Sequence, residues 1–94
     1  MLSPKKLHVK RYNKSNRILY VRNLPVDVSL EELVTLFERF GEIYQIRIGI
    51  QKETHGTAFI IFKNFYDKNF VSNNISGLTV RNKYIIVLIF FVTI

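Results

Sequence analysis

Cysteine is absent from this 94-residue chain. That removes disulfides, thiolate zinc sites and a cysteine nucleophile. Histidine is scarce: His8 and His55 stand alone, too few and too far apart to suggest a metal site. Two prolines and four glycines are too few for a collagen or a low-complexity chain. No apolar run reaches the 18 residues that a membrane-spanning helix needs. No apolar signal region follows the basic N-terminus either. An intracellular protein with no membrane partner, no metal and no cofactor is the expectation. Acidic residues are also scarce, seven against fourteen basic, for a net charge of +7.

Hydrophobic residues are plentiful at 48%, with eight Phe and five Tyr. That suffices for the core of one small domain, although a chain this short has a thin margin. The charge is unevenly spread. Residues 1–17 hold Lys5, Lys6, Lys10, Arg11, Lys14 and Arg17 with no acid, and the remainder is nearly neutral. A cationic arm on a neutral body favours polyanions such as nucleic acid or anionic lipid. Residues 1–16 show no apolar periodicity and read as an arm without fixed structure of its own.

Regular structure is expected from Arg17 onward. Ile18-Leu19-Tyr20-Val21 is an apolar, β-branched and aromatic run, the mark of a buried strand. Pro25 ends it, because proline cannot continue a central strand. Ser29-Leu30-Glu31-Glu32 fits a capping box that opens a helix. Leu30, Leu33, Phe37 and Phe40 follow at helical spacing as one apolar face, and Gly41 supplies a left-handed stop. A second strand is expected at 43–48, a loop at 49–56 and a third strand at 57–62. A second helix is expected over about 67–75, with Phe70 and Val71 inward and Gly77 as its cap. A last strand starts near Tyr84. The order β-α-β-β-α-β predicts an α+β, ferredoxin-like fold: a four-stranded antiparallel sheet with two helices on one face. One domain, residues 17–90, follows, with an apolar end at 91–94.

Two segments carry chemistry. Leu19-Tyr20-Val21-Arg22-Asn23-Leu24 fits a hexamer of the form apolar, aromatic, apolar, any, Asn, Leu. His55-Gly56-Thr57-Ala58-Phe59-Ile60-Ile61-Phe62 fits most of the octamer K/R-G-F/Y-G/A-F-V-x-F/Y. On adjacent strands, and with the helices in this order, the pair resembles the RNA recognition motif family over about residues 17–90. Side chains alternate along a strand. Leu19, Val21, Ala58, Ile60 and Phe62 should therefore face the core, and Tyr20, Arg22, Thr57, Phe59 and Ile61 the open side. Tyr20 and Phe59 then form a platform on which bases of single-stranded RNA stack. Arg22 and Arg47 share that face as candidate contacts to phosphate or a base edge.

The departures matter as much. The octamer opens on His55 in place of a basic residue and has Thr57 where an aromatic is usual. His55 reads as an ordinary loop histidine. The last strand is apolar on both alternation sets, Ile85, Val87 and Ile89 against Ile86, Leu88 and Phe90. A strand apolar on both faces is normally covered on both. A protein segment is thus expected over Thr57, Phe59, Ile61, Ile86, Leu88 and Phe90. The same run lies at a sheet edge, where it invites pairing with a second copy.

Further residues narrow the resemblance to the small branch-site-contacting subunits of the spliceosomal splicing factor 3b complex. They are Asn16 through Pro25, Gln45-Ile46-Arg47-Ile48-Gly49, Glu53 through Ala58, Ser76-Gly77, Asn82-Lys83-Tyr84 and Val87-Leu88. The resemblance implies a nuclear splicing protein. It implies a segment of the large scaffold subunit lying across the sheet, with Tyr20 left reachable for the branch-point adenosine of pre-mRNA. Phe90-Phe91-Val92-Thr93-Ile94 stands where that family has a C-terminal helix and a charged tail. The alternative is a domain that recognises only protein and touches RNA through the basic arm alone. An enzyme is not expected. Acylphosphatase-type hydrolases share the fold but cradle phosphate in a Gly-rich loop with an Arg after the first strand. Here Asn23-Leu24-Pro25-Val26-Asp27 follows that strand.

Overall fold

The computed structural model describes residues 17–90. The arm residues Lys5, Lys6, Lys10, Arg11 and Lys14, and the apolar end at 91–94, lie outside the described residues.

Strand β1 (Ile18–Arg22) leads through the Pro25 turn into helix α1 (Leu30–Phe37). Strands β2 (Ile43–Ile48) and β3 (Ala58–Phe62) follow, joined by a loop containing a 3-10 turn at Lys52–Thr54. Helix α2 (Lys68–Asn74) precedes a small hairpin of β4 (Thr79–Val80) and β5 (Lys83–Tyr84), and β6 (Ile86–Phe90) closes the order. The main sheet is antiparallel in the order β2-β3-β1-β6. The two motif strands are therefore its central pair, and β6 is an edge as expected.

Alternation decides the faces. Leu19 and Val21 of β1, and Ala58, Ile60 and Phe62 of β3, are buried with Leu33 and Phe37 of α1 and Val71 of α2 in one core. Ser29 opens α1 as predicted: its hydroxyl accepts from Glu32 N–H at 3.1 Å, and its own N–H donates to Glu32 Oε1 at 2.9 Å. Asp67 caps α2 by accepting from the N–H groups of Asn69 and Phe70.

Five expectations need correction. Leu30 is 53% exposed, not part of the buried stripe. Spacing assigns a residue to a helix face but not to the part of that face that overlies the core. Phe70 is 43% exposed. It packs edge-on against Phe40 at 5.7 Å and leaves its outer side in solvent. Gly41 is not left-handed: α1 tightens into a 3-10 turn at Glu38–Phe40, and Gly41 follows with φ 152° and ψ 174°. That extended positive-φ region is glycine's alone, so the residue type was right and the conformation different. Helix α2 ends at Asn74 with Ile75 as cap residue, and Gly77 lies two residues further. The last sheet strand starts at Ile86, because Lys83–Tyr84 pairs with Thr79–Val80 instead.

Candidate nucleic-acid interface

Tyr20 sits at the centre of the open face. Its register partners are Phe59 on β3 and Leu88 on β6. The Tyr20 and Phe59 rings stand 4.8 Å apart between centroids. Phe90 joins them at 6.4 Å from Tyr20 and 5.2 Å from Phe59. Three strands thus supply one aromatic cluster. Tyr20, Phe59, Ile61 and Thr57 are half-buried. Beyond them the β6 face is open, with Ile86 45%, Leu88 43% and Phe90 37% exposed.

The two predicted arginines are not brought together but flank the rings. Arg47 pairs with Phe59 in register and, with Ile18, Ile61 and Phe90, lines a cavity of about 200 Å³. Arg22 lies beyond Tyr20 and lines a larger one of about 570 Å³ with Tyr20, Asn23, His55, Thr57 and Lys83. Among the described residues, neither arginine makes an ion pair. Arg17, counted among the arm's charges, stands at the start of the expected domain. Its Nε donates to the carbonyl of Phe62 at 3.2 Å, which ties it to the sheet.

The loop between β2 and β3 is self-bonded. Thr54 N–H donates to Gln51 O at 2.9 Å and Gly49 N–H to Thr57 O at 2.9 Å. The Thr57 hydroxyl donates to Thr54 O at 2.7 Å, so it belongs to the loop. Leu24 N–H donates to Gly56 O at 2.9 Å and holds this loop against the end of β1. That places His55 on the wall of the Tyr20 cavity.

Lys83 was not anticipated. It reaches the same cavity because the β4–β5 hairpin is clamped at two points. Asn23 Nδ2 donates to Tyr84 O. Arg81 spans to helix α1, with Nε 2.8 Å from Glu32 Oε2 and Nη1 3.0 Å from Asp27 Oδ1. The hydrogen bonds from Arg81, then from Ser29 N–H, hold the Glu32 carboxyl down at about 2, and the hydrogen bonds of Arg81 to Glu32, then to Asp27, raise the guanidinium above its ordinary range. Consecutive positive φ at Arg81 (50°) and Asn82 (67°) make the hairpin turn. Arg-Asn between two short β-favouring pairs was the available signal.

Among the described residues, no group of three or more His, Cys, Asp or Glu residues could hold a metal. No helix is long and apolar enough to cross a membrane there. The open face thus has aromatic rings at its centre, cations at both ends and an apolar margin.

The family model of the RNA recognition motif matches residues 19–86. A splicing factor 3B subunit 6-like protein of Arabidopsis thaliana is 42% identical over 87 residues, covering 93% of this chain and 70% of the relative. Splicing factor 3B subunit 6 of Drosophila melanogaster is 40% identical, covering 89% and 69%. Among solved structures, the Sxl-lethal protein in complex with RNA matches with TM-score 0.65 and 36% identity. That match covers 79% of this chain and 46% of the other. The Nab3 domain, solved for recognition of non-polyadenylated RNAs, matches with TM-score 0.65 and 28% identity over 80% of this chain and 95% of its own. The chain belongs to the RNA recognition motif family and, within it, to the splicing factor 3B subunit 6 proteins.

Proposed function

We propose that this chain is an RNA-binding subunit of a nuclear splicing complex, which stacks the pre-mRNA branch-site adenosine on Tyr20 while a segment of the large scaffold subunit covers the apolar side of its sheet. The carrying observation is the central Tyr20–Phe59 ring pair at 4.8 Å, with Arg22 and Arg47 at its two ends. An aromatic face accepts any base, and adjoining cations accept its phosphates. Support for a scaffold segment comes from the exposed Ile86, Leu88 and Phe90, an apolar margin of the kind that marks interaction surfaces. Phe59 and Phe90 then belong to the covered side, and Tyr20 borders the polar cavity left open to RNA. Residues 17–90 form the domain, and the basic arm at 1–16 adds a salt-sensitive, sequence-independent contact.

The test is a titration of labelled single-stranded RNA carrying a branch-site adenosine, with wild type and Tyr20→Ala. Each is run with and without the scaffold segment, at two salt concentrations. A loss of about 1–3 kcal/mol in the variant, largest on the adenosine, is expected for stacking. Equal binding by both proteins that vanishes at high salt means that the arm alone holds RNA and the sheet serves protein.

A further inference from the structure

The two edges of the main sheet are unequally guarded. Strand β2 breaks register between Ile43 and Gln45, which puts Tyr44 out of the ladder, and it carries Arg47. Bulges and charges are the devices that keep an edge strand from pairing. Strand β6 has neither. It matches β1 through five consecutive residues without a shift, and none of the five is charged, proline or glycine. Among the described residues, no strand lies on its outer side, and Ile86–Phe90 make no backbone hydrogen bond outside the sheet. The base of the β4–β5 hairpin closes through Ile85 N–H and Leu78 O, one residue short of the strand.

An unguarded edge accepts an extended backbone, and the side chains of β6 say which one fits. In antiparallel pairing, residues directly opposite point to the same side of the sheet. Set against itself about Leu88, the strand places Leu88 opposite Leu88 of the second copy, Ile86 opposite Phe90 and Val87 opposite Ile89. The exposed Ile86, Leu88 and Phe90 thereby gain apolar neighbours on the open side. No charge is buried, and none meets its like. A strand that carried charges would have to bury them against these side chains, a cost that a second β6 does not incur.

We propose that β6 pairs edge to edge with β6 of a second copy, antiparallel about a two-fold axis at Leu88, so that two four-stranded sheets become one of eight. The axis stands perpendicular to the sheet, which keeps both open faces on the same side. Tyr20 is the register partner of Leu88. The two Tyr20 positions therefore lie three strand spacings apart, about 14 Å, on one continuous face. The pairing uses the backbone and the β6 side chains alone, so it stands whether or not that face binds RNA. Each copy carries a net charge of +7. Their repulsion weakens the pair at low salt, and screening strengthens it.

The full chain is sedimented over a range of protein concentrations, in low and in high salt. Wild type is expected to pass reversibly from one copy to two, at lower concentration in high salt. Leu88→Lys and Leu88→Glu each set like charges face to face on the axis and are expected to weaken the dimer about tenfold. An equimolar mixture of the two restores it, because the mixed pair sets opposite charges there. Tyr44→Glu, at the guarded edge, dimerises as wild type. A cooperative thermal transition shows that each variant is folded. Should either Leu88 variant lack it, Ile86→Lys mixed with Phe90→Glu repeats the test, since those positions face each other. Wild type that stays a single copy at every concentration overturns the proposal and leaves the edge to a strand of another protein. So does a mixture of two folded variants that fails to recover, a loss in Tyr44→Glu alone, or a mass that grows past two copies. Association that salt dissolves overturns it as well, since bridging by a bound polyanion behaves that way.

Discussion

Glu32 serves two structures with one carboxylate. It accepts from Ser29 N–H and so starts helix α1, and it accepts from Arg81 and so fixes the β4–β5 hairpin. Arg81, first through its hydrogen bonds, holds the carboxyl at about 2 instead of the usual 4.5. A depressed carboxylate stabilises the fold above its unfolded value and stops doing so as pH falls through the folded one. The contribution is therefore complete above about 4.5 and gone below about 2. Glu32→Gln is expected to be less stable than wild type at neutral pH, with the two urea midpoints converging as pH falls through that window. Parallel curves would show that the ion pair is screened and that the cap alone matters. Tyr66 runs the other way. Burial pushes its hydroxyl up to about 12, and the hydroxyl donates to Ile18 O at 3.1 Å. Its contribution is complete below the usual 10 and declines as pH rises towards 12. Tyr66→Phe should cost about 0.5–1.5 kcal/mol at neutral pH and lose that alkaline decline in urea unfolding. At this scale the sequence was readable only for local partners. The capping box of Ser29 and Glu32 spans three residues and announces itself. The Glu32–Arg81 pair spans 49, and no spacing rule reaches that far.

Elements carried the clearest signal where both alternation and residue type agreed. Leu19, Tyr20 and Val21, and Ala58 through Phe62, fell on the faces that period-2 reading assigns. The ring pair and the two central strands were legible for that reason. The hairpin was not, because two-residue strands are shorter than any periodic pattern, and Tyr84 through Phe90 reads as one apolar run. The break at Ile85 is set by tertiary bonds: Ile85 N–H to Leu78 O, and Asn23 to Tyr84 O. Hence Lys83 escaped notice as a wall of the cavity, and His55 seemed an ordinary loop residue. The β2–β3 loop that carries His55 offers a test. A Cβ on Gly49 would fall 2.0 Å from Thr54 O, a backbone atom that cannot swing away. Gly49→Ala must therefore open the loop that Thr54 and Thr57 close. It should destabilise the chain by about 1–3 kcal/mol, as overpacking does, and weaken RNA binding with Tyr20 intact. Wild-type RNA affinity in that variant would show that the loop's shape is irrelevant to binding.

The whole molecule has a two-sided sheet with helices on one side only, and that asymmetry makes β6 the informative strand. Val87 is buried at 7% exposure beneath the sheet, while its neighbours Ile86 and Leu88 are 45% and 43% exposed on the open side. One strand thus belongs to the fold by one set of residues and turns the other set to the open side. Its free edge adds the risk of pairing with a second copy. Opposite outcomes follow from adjacent substitutions. Val87→Lys buries an unpaired charge in the core and should unfold the chain, seen as loss of the cooperative thermal transition. Leu88→Lys leaves the core untouched, so its stability should stay within about 0.5 kcal/mol of wild type. It also places a cation against the register partner of Leu88, Tyr20, the proposed stacking residue. In sedimentation it should reduce any concentration-dependent association of the chain. It should lose affinity for the scaffold segment by calorimetry while binding single-stranded RNA at least as well as wild type. Unchanged binding of that segment would mean that the apolar margin of the sheet is not its seat. A loss of RNA and protein together would mean that the two share one surface, and that Tyr20 is not left open when the sheet is covered.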